Sequence, residues 1–211
     1  MDGARRSPGA RWIIALVAAA LAAIWLAMMI GGTGLLDRRI YAFFYAGGDP
    51  ALVTVAKGLS LLGDPRLLIP AMLVVAAWLW WRGHRHSALT LMAVTLVGRG
   101  VNSLVKLDVA RPRPDLEPHL MIEHSNSFPS GHAAGSMIFF LTLALLLAHR
   151  GSWRRWAAAA AVLVAMLVGL SRIMLGVHWP SDVVGGWAFG ALWVLVTLRM
   201  AEDLIARRVR R

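Results

Sequence analysis

Apolar and polar positions come in blocks along this chain and do not alternate. Apolar stretches cover 11–30, 66–81, 87–105, 132–149, 155–175 and 181–200, each flanked by charge, Gly or Pro. About 20 apolar residues cross a hydrocarbon core, so each block predicts a membrane-spanning helix and the set predicts about six spans. Between the first two blocks, residues 31–50 are Gly-rich and mixed and read as a loop. Residues 51–62 are short and weakly amphipathic, carry Lys57, and read as an interfacial or re-entrant helix. The expected fold is all-α, a polytopic helical bundle in a membrane. The first block follows Arg5 and Arg6. It is long for a signal peptide and no small-residue cleavage site follows it, so it reads as an uncleaved span.

Composition agrees: 58% of residues are hydrophobic and 16% charged, where soluble domains carry about a quarter. The net charge of +11 raises nucleic acid as a partner, but the 22 Lys and Arg gather at block ends, where membrane topology and anionic headgroups place them. No basic stripe alternates with stacking aromatics, so no nucleic-acid partner is expected. The absence of cysteine removes disulfides, thiol chemistry and Cys-ligated metals. Trp12, Trp78, Trp80, Trp81, Trp153, Trp156 and Trp179 stand near block ends, as an interfacial belt predicts. With both termini in the cytoplasm, the inner segments hold 13 of the 22 cations and the outer ones 9. That bias places segments 106–131 and 176–180 outside. Gly186 and Gly190 form a small-xxx-small pair that predicts close helix packing within the chain rather than dimerisation.

Ionisable groups at span ends are costly and ask for a reason. Three clusters stand out, all on the outer face of this topology: Lys106 to Arg113-Pro114, Ser127 to His132, and Ser171-Arg172 with His178 and Asp182. Lys106, Arg113 and Arg172 supply cations that match phosphate oxygens. Ser130 is a natural N-cap, the first-turn N–H groups behind it form an anion site, and Gly131 lets a ligand approach the backbone. Pro180 suits a first helical turn, with Asp182 in the same turn. His178 and Asp182, four residues apart, are within reach of each other; a carboxylate on one ring nitrogen makes the other a better nucleophile or base. His132 remains as a proton donor. Arg111-Pro112 fits the headgroup rim or loop geometry and reads as structural. Arg99 and Asn102 line the pocket or pack helices. His119, Glu123 and His124 belong to a lid or specificity loop rather than a metal site, and His84, His86 and His149, on the cytoplasmic side, have no role.

These residues resemble the type 2 phosphatidic acid phosphatase (PAP2) superfamily, also called lipid phosphate phosphatase or vanadium haloperoxidase-like. Its signature reads Lys-x6-Arg-Pro, Pro-Ser-Gly-His and Ser-Arg-x5-His-x3-Asp. The chain matches every specified position: Lys106 with Arg113-Pro114, Pro129 to His132, and Ser171-Arg172 with His178 and Asp182. The resemblance implies one membrane phosphatase domain over 1–211, with a catalytic core over 66–200 and a first span plus interfacial helix over 1–65. It implies that His178 attacks phosphorus and forms a phosphohistidine, that Asp182 orients His178, and that His132 protonates the leaving oxygen and then activates water. Phosphate would be held by Lys106, Arg113, Ser130, Gly131 and Arg172, with Ser171 in support and no metal or other cofactor. The expected partners are a lipid phosphate substrate and membrane lipids. The expected place is a bacterial inner membrane, with the site facing outward. Phosphotransfer to another lipid and a non-catalytic scaffold or transporter are the competing readings.

Overall fold

Eight α-helices and no strand make up the described residues, 8–148 and 151–209 of a computed structural model. They are α1 (Pro8–Gly31), α2 (Leu35–Phe44), α3 (Pro50–Leu61), α4 (Pro65–Trp81), α5 (Arg85–Val109), α6 (Gly131–Leu147), α7 (Gly151–Met174) and α8 (Pro180–Val209). Arg5, Arg6, His149, Arg150, Arg210 and Arg211 lie outside the described residues, as do the side chains of Arg11, Arg207 and Arg208. Among the described residues, five stretches are long and apolar enough to span a membrane: Trp12–Gly31, Pro50–Trp81, Arg85–Val109, Gly151–Met174 and Pro180–Ala201. The sixth apolar helix, α6, has 17 residues, at the lower limit of about 17 for a span. The protein is a multi-pass helical bundle.

Helix starts follow local chemistry. Asp49 caps α3, its Oδ1 accepting from Ala51 N at 2.8 Å and Leu52 N at 3.2 Å; Asp64 caps α4 through Arg66 N at 2.7 Å. Pro50 and Pro65 follow these caps, where a missing N–H costs nothing. α5 stops at Ala110, whose φ of 48° lies in the left-handed region. The chain then runs without regular structure to Ser130, which caps α6.

α6 forms the centre, packed against α5, α7 and α8. Ala133 through Phe139 are all buried, which explains why this block is apolar on every side. α8 reaches it closely: a Cβ on Gly186 would stand 2.8 Å from Ser130 O, and one on Gly190 2.8 Å from Met137 Cβ. The glycine pair therefore serves packing inside the chain. α1 lies against α8, α4 against α5, and α3 against α7. Trp12, Leu16, Val74, Leu104 and Leu163 point outward and exposed, as hydrocarbon contact requires.

Two expectations are corrected. Residues 31–50 contain a helix, α2, where a loop was expected. Gly31, Gly32 and Gly34 hide the signal, yet Asp37 and Tyr41, one turn apart, both face the core. Trp179 is 4% exposed and donates to Pro112 O at 3.2 Å, so it is a buried strut and not part of the aromatic belt. Trp12, Trp78, Trp80, Trp81, Trp153 and Trp156 are exposed. Arg82 and Arg85 lie over the Trp78 and Trp80 rings, at 5.8 and 5.3 Å. Arg154 donates to Leu145 O at 2.7 Å and so closes the end of α6.

Candidate active site

Asp182 in the first turn of α8 has no exposed surface, and its carboxylate is fully partnered. Oδ1 accepts from Arg111 Nη1 at 2.9 Å. Oδ2 accepts from Trp179 N at 2.9 Å and from the Ser127 hydroxyl, and faces His178 Nδ1 at 3.4 Å. Ser127 Oγ also lies 3.3 Å from that nitrogen. With acceptors gathered there, the ring proton belongs on Nδ1 and the lone pair on Nε2. Nε2 receives Arg113 Nη1–H at 3.3 Å. Burial, with Arg113, Lys106 and Arg172 nearby, holds the His178 imidazole well below its ordinary 6.5, so the ring is neutral at pH 7.

His178 opens onto a cavity of about 310 Å³ at the end of the bundle where α5 ends and α6 begins. Its wall includes Lys106, Arg113, Gly131 and His132, along with Arg99, Asn102 and Glu123. Lys106 Nζ is anchored by Asn126 O at 2.5 Å, and Asn126 Nδ2 returns a bond to Lys106 O at 3.0 Å. Arg113 is anchored by Ser125 O at 2.8 Å and Val177 O at 2.5 Å. The loop between α5 and α6 thus positions both cations, and it is itself pinned to the α7–α8 connection through Leu120 N to Leu175 O at 3.0 Å.

The model of the PAP2 superfamily matches residues 87–206, which hold all of these groups. The chain belongs to the PAP2 superfamily. It is similar to phosphatidylglycerophosphatase B of Bacillus subtilis, 32% identical over 148 residues that cover 68% of this chain and 72% of the relative. It is also similar to an undecaprenyl-diphosphatase of Bacillus subtilis, 31% identical and covering 65% of this chain and 73% of that one. The crystal structure of a transmembrane PAP2-type phosphatidylglycerolphosphate phosphatase from Bacillus subtilis superposes with a TM-score of 0.80. It has 27% identity and covers 88% of this chain and 96% of that one.

The PAP2 signature residues do not all reach the cavity in the same way. Lys106, Arg113, Gly131, His132 and His178 line it, and Asp182 stands behind His178. Ser130 is fully buried, its Oγ accepting from Ala133 N at 3.5 Å as the cap of α6. Ser171 donates to Val168 O at 2.6 Å within its own helix. Arg172 is fully buried beneath Glu123, with Nη1 donating to Ser60 Oγ at 2.5 Å and Nη2 paired to the Glu123 carboxylate.

Three residues take part in the site in ways that the sequence did not assign. Arg111 is buried and paired to Asp182; it also donates to Met28 O at 2.9 Å and Met29 O at 2.7 Å, two carbonyls in the last turn of α1. Its guanidinium lies 4.5 Å over the Phe128 ring. The doubled Arg-Pro was the available signal: a buried carboxylate beside a neutral imidazole needs a separate cation. Ser127 bridges Asp182 and His178, and a serine gives no sequence signal for that. Glu123 neutralises Arg172 and stands 3.6 Å from Arg113. His119 bonds to Pro114 O at 2.6 Å, and no group of three or more His, Asp or Glu able to hold a metal occurs among the described residues.

Proposed function

We propose that the chain removes phosphate from a lipid phosphate or pyrophosphate, with His178 as nucleophile. It is a membrane phosphatase of one domain, 1–211, whose core over 66–200 carries the chemistry. The observation that carries this is the His178 ring, backed by Asp182 and opening onto a cavity walled by Lys106 and Arg113. The phosphoryl group takes the position between Arg113 and His178, where Arg113 moves from Nε2 onto a phosphate oxygen. Arg172 joins once the phosphate displaces the Glu123 carboxylate. Nε2 attacks in line, a P–N bond forms, and the bond to the leaving oxygen breaks. His132 gives its proton to that oxygen. His132 then takes a proton from water; the water oxygen attacks phosphorus, the P–N bond breaks, and inorganic phosphate leaves. The cations and the first-turn N–H groups of α6 stabilise the charge on the equatorial oxygens, and Ser130 and Ser171 hold the backbone that presents them. Phosphatidylglycerophosphate, phosphatidic acid, lipid A phosphate and undecaprenyl pyrophosphate are the substrates to test. The cation bias supports cytoplasmic termini and a site facing outward from a bacterial inner membrane.

The protein in detergent should release phosphate from at least one of these lipids at a rate unchanged by EDTA. A rate abolished by EDTA would overturn the metal-free mechanism. Absence of any release would overturn hydrolysis and leave transfer or a scaffold.

The acid limb of kcat/KM should reflect the lowered pKa of His178. Protonation removes the nucleophile, so a depressed pKa moves that loss to pH values below the ordinary 6.5 and leaves activity intact at neutral pH. A pH–rate profile with its acid midpoint at or above 6.5 contradicts this.

A further inference from the structure

Arg99 is a charge inside a span with an unpartnered donor. It stands two turns before Lys106 on α5, about 10 Å away along the helix axis, and lines the same cavity. Its Nη1 is buried without a hydrogen-bond partner. It presses on α6 at Gly135, where a Cβ would stand 2.6 Å from it. Asn102, 4% exposed, lines the same wall, and its Nδ2 amide is the donor it can turn to an anion there. Asp64 acts on Arg99 only at longer range, so a charged group within a membrane span keeps one donor open, and that donor calls for an anion. Lys106, Arg113 and the start of α6 already serve the transferred phosphoryl group.

The position of Arg99 indicates where that anion sits. His132 marks the leaving-group side of the phosphorus, and Gly135 follows His132 by one turn of α6, deeper in the bundle. Arg99 therefore meets the cavity beyond His132, on the way from the reacting phosphorus to the lipid tail. Resting on the phosphatase reading above, we infer that Arg99 and Asn102 form a second anion subsite for a phosphate carried by the leaving group. The favoured substrates are then lipids with two phosphates in series. These are joined directly, as in a prenyl diphosphate, or through glycerol, as in phosphatidylglycerophosphate. With a diphosphate, Nε2 forms the P–N bond as the bridging P–O bond breaks. The bridging oxygen leaves with the lipid monophosphate and takes the His132 proton, and Arg99 neutralises the remaining charge.

The test compares matched lipids: farnesyl diphosphate against farnesyl monophosphate, and phosphatidylglycerophosphate against phosphatidic acid. Arg99→Gln should lower the two-phosphate to one-phosphate ratio of kcat/KM by about 10- to 100-fold, the size of a hydrogen bond to a charged group. Arg99→Lys should recover part of it, and Asn102→Ala should lower it in the same direction should Arg99→Gln not fold. The lipid pair whose ratio moves identifies the linkage. In parallel, inorganic pyrophosphate should raise Tm of the wild type more than orthophosphate does, and Arg99→Gln should erase the difference. Equal losses on both lipids of each pair, or no loss, overturn the subsite. Failure of the wild type to hydrolyse any lipid, with pyrophosphate still stabilising it through Arg99, would keep the subsite and overturn the phosphatase reading. Without either effect, both fall.

Discussion

Replacing His178 with alanine should lower kcat by about ten-thousand-fold or more, the scale seen when a nucleophile that acts as a unit with its partners is removed. The fold should survive. Asp182 keeps Arg111, the Trp179 N–H and the Ser127 hydroxyl, so no buried charge is stranded. Binding should survive as well, since Lys106 keeps its loop carbonyl and Arg113 keeps the Ser125 and Val177 carbonyls, losing only its bond to Nε2. The expected signature is a protein that orthophosphate still stabilises in a Tm measurement but that releases no phosphate. Turnover retained within about tenfold of wild type, too small a loss for a missing nucleophile, would remove His178 from the chemistry.

Arg111→Leu should cost both stability and rate. The substitution leaves the Asp182 carboxylate, with no exposed surface, without its cation. Breaking a buried pair from one side costs about 3–5 kcal/mol. It also strands the Met28 and Met29 carbonyls, which lie in the last turn of α1 where intrahelical donors have run out. An uncompensated Asp182 takes up a proton and loses its hold on Nδ1–H, so the His178 ring loses its tautomer and its aim. Misplacement of that kind costs about a hundredfold in kcat. Arg111→Lys keeps the charge but lacks the fork that reaches Asp182 and α1 together, and should fall between. Tm in detergent and kcat on the best lipid check both halves; a leucine variant unchanged in both would contradict the role given to Arg111.

Seven of the eight helices were legible, six from long apolar blocks and α3 from the short run 51–62, and the spacing of the three polar clusters marked the residues now found at one cavity. α2 was not legible, because the helical turn joining Asp37 to Tyr41 sits among glycines. Asp37 holds Ser181 N at 2.9 Å, a contact 144 residues away in the chain that no local pattern encodes. Arg111 and Arg113 share a Pro-flanked context, yet one turns inward to Asp182 and the other to the cavity. That division depends on where α1 ends and α8 begins. Glu123 is one acidic residue among several in its loop until Arg172 and Arg113 converge on it.

The central claim is that phosphate passes through His178. Wild-type protein would be mixed with a lipid whose terminal phosphate is labelled, quenched within one turnover in alkali, where phosphohistidine survives, and digested for mass spectrometry. The prediction is label on the peptide carrying His178, appearing before free phosphate and absent from His178→Ala. Phosphate released at the normal rate with no label on His178, or with label on His132, would contradict it.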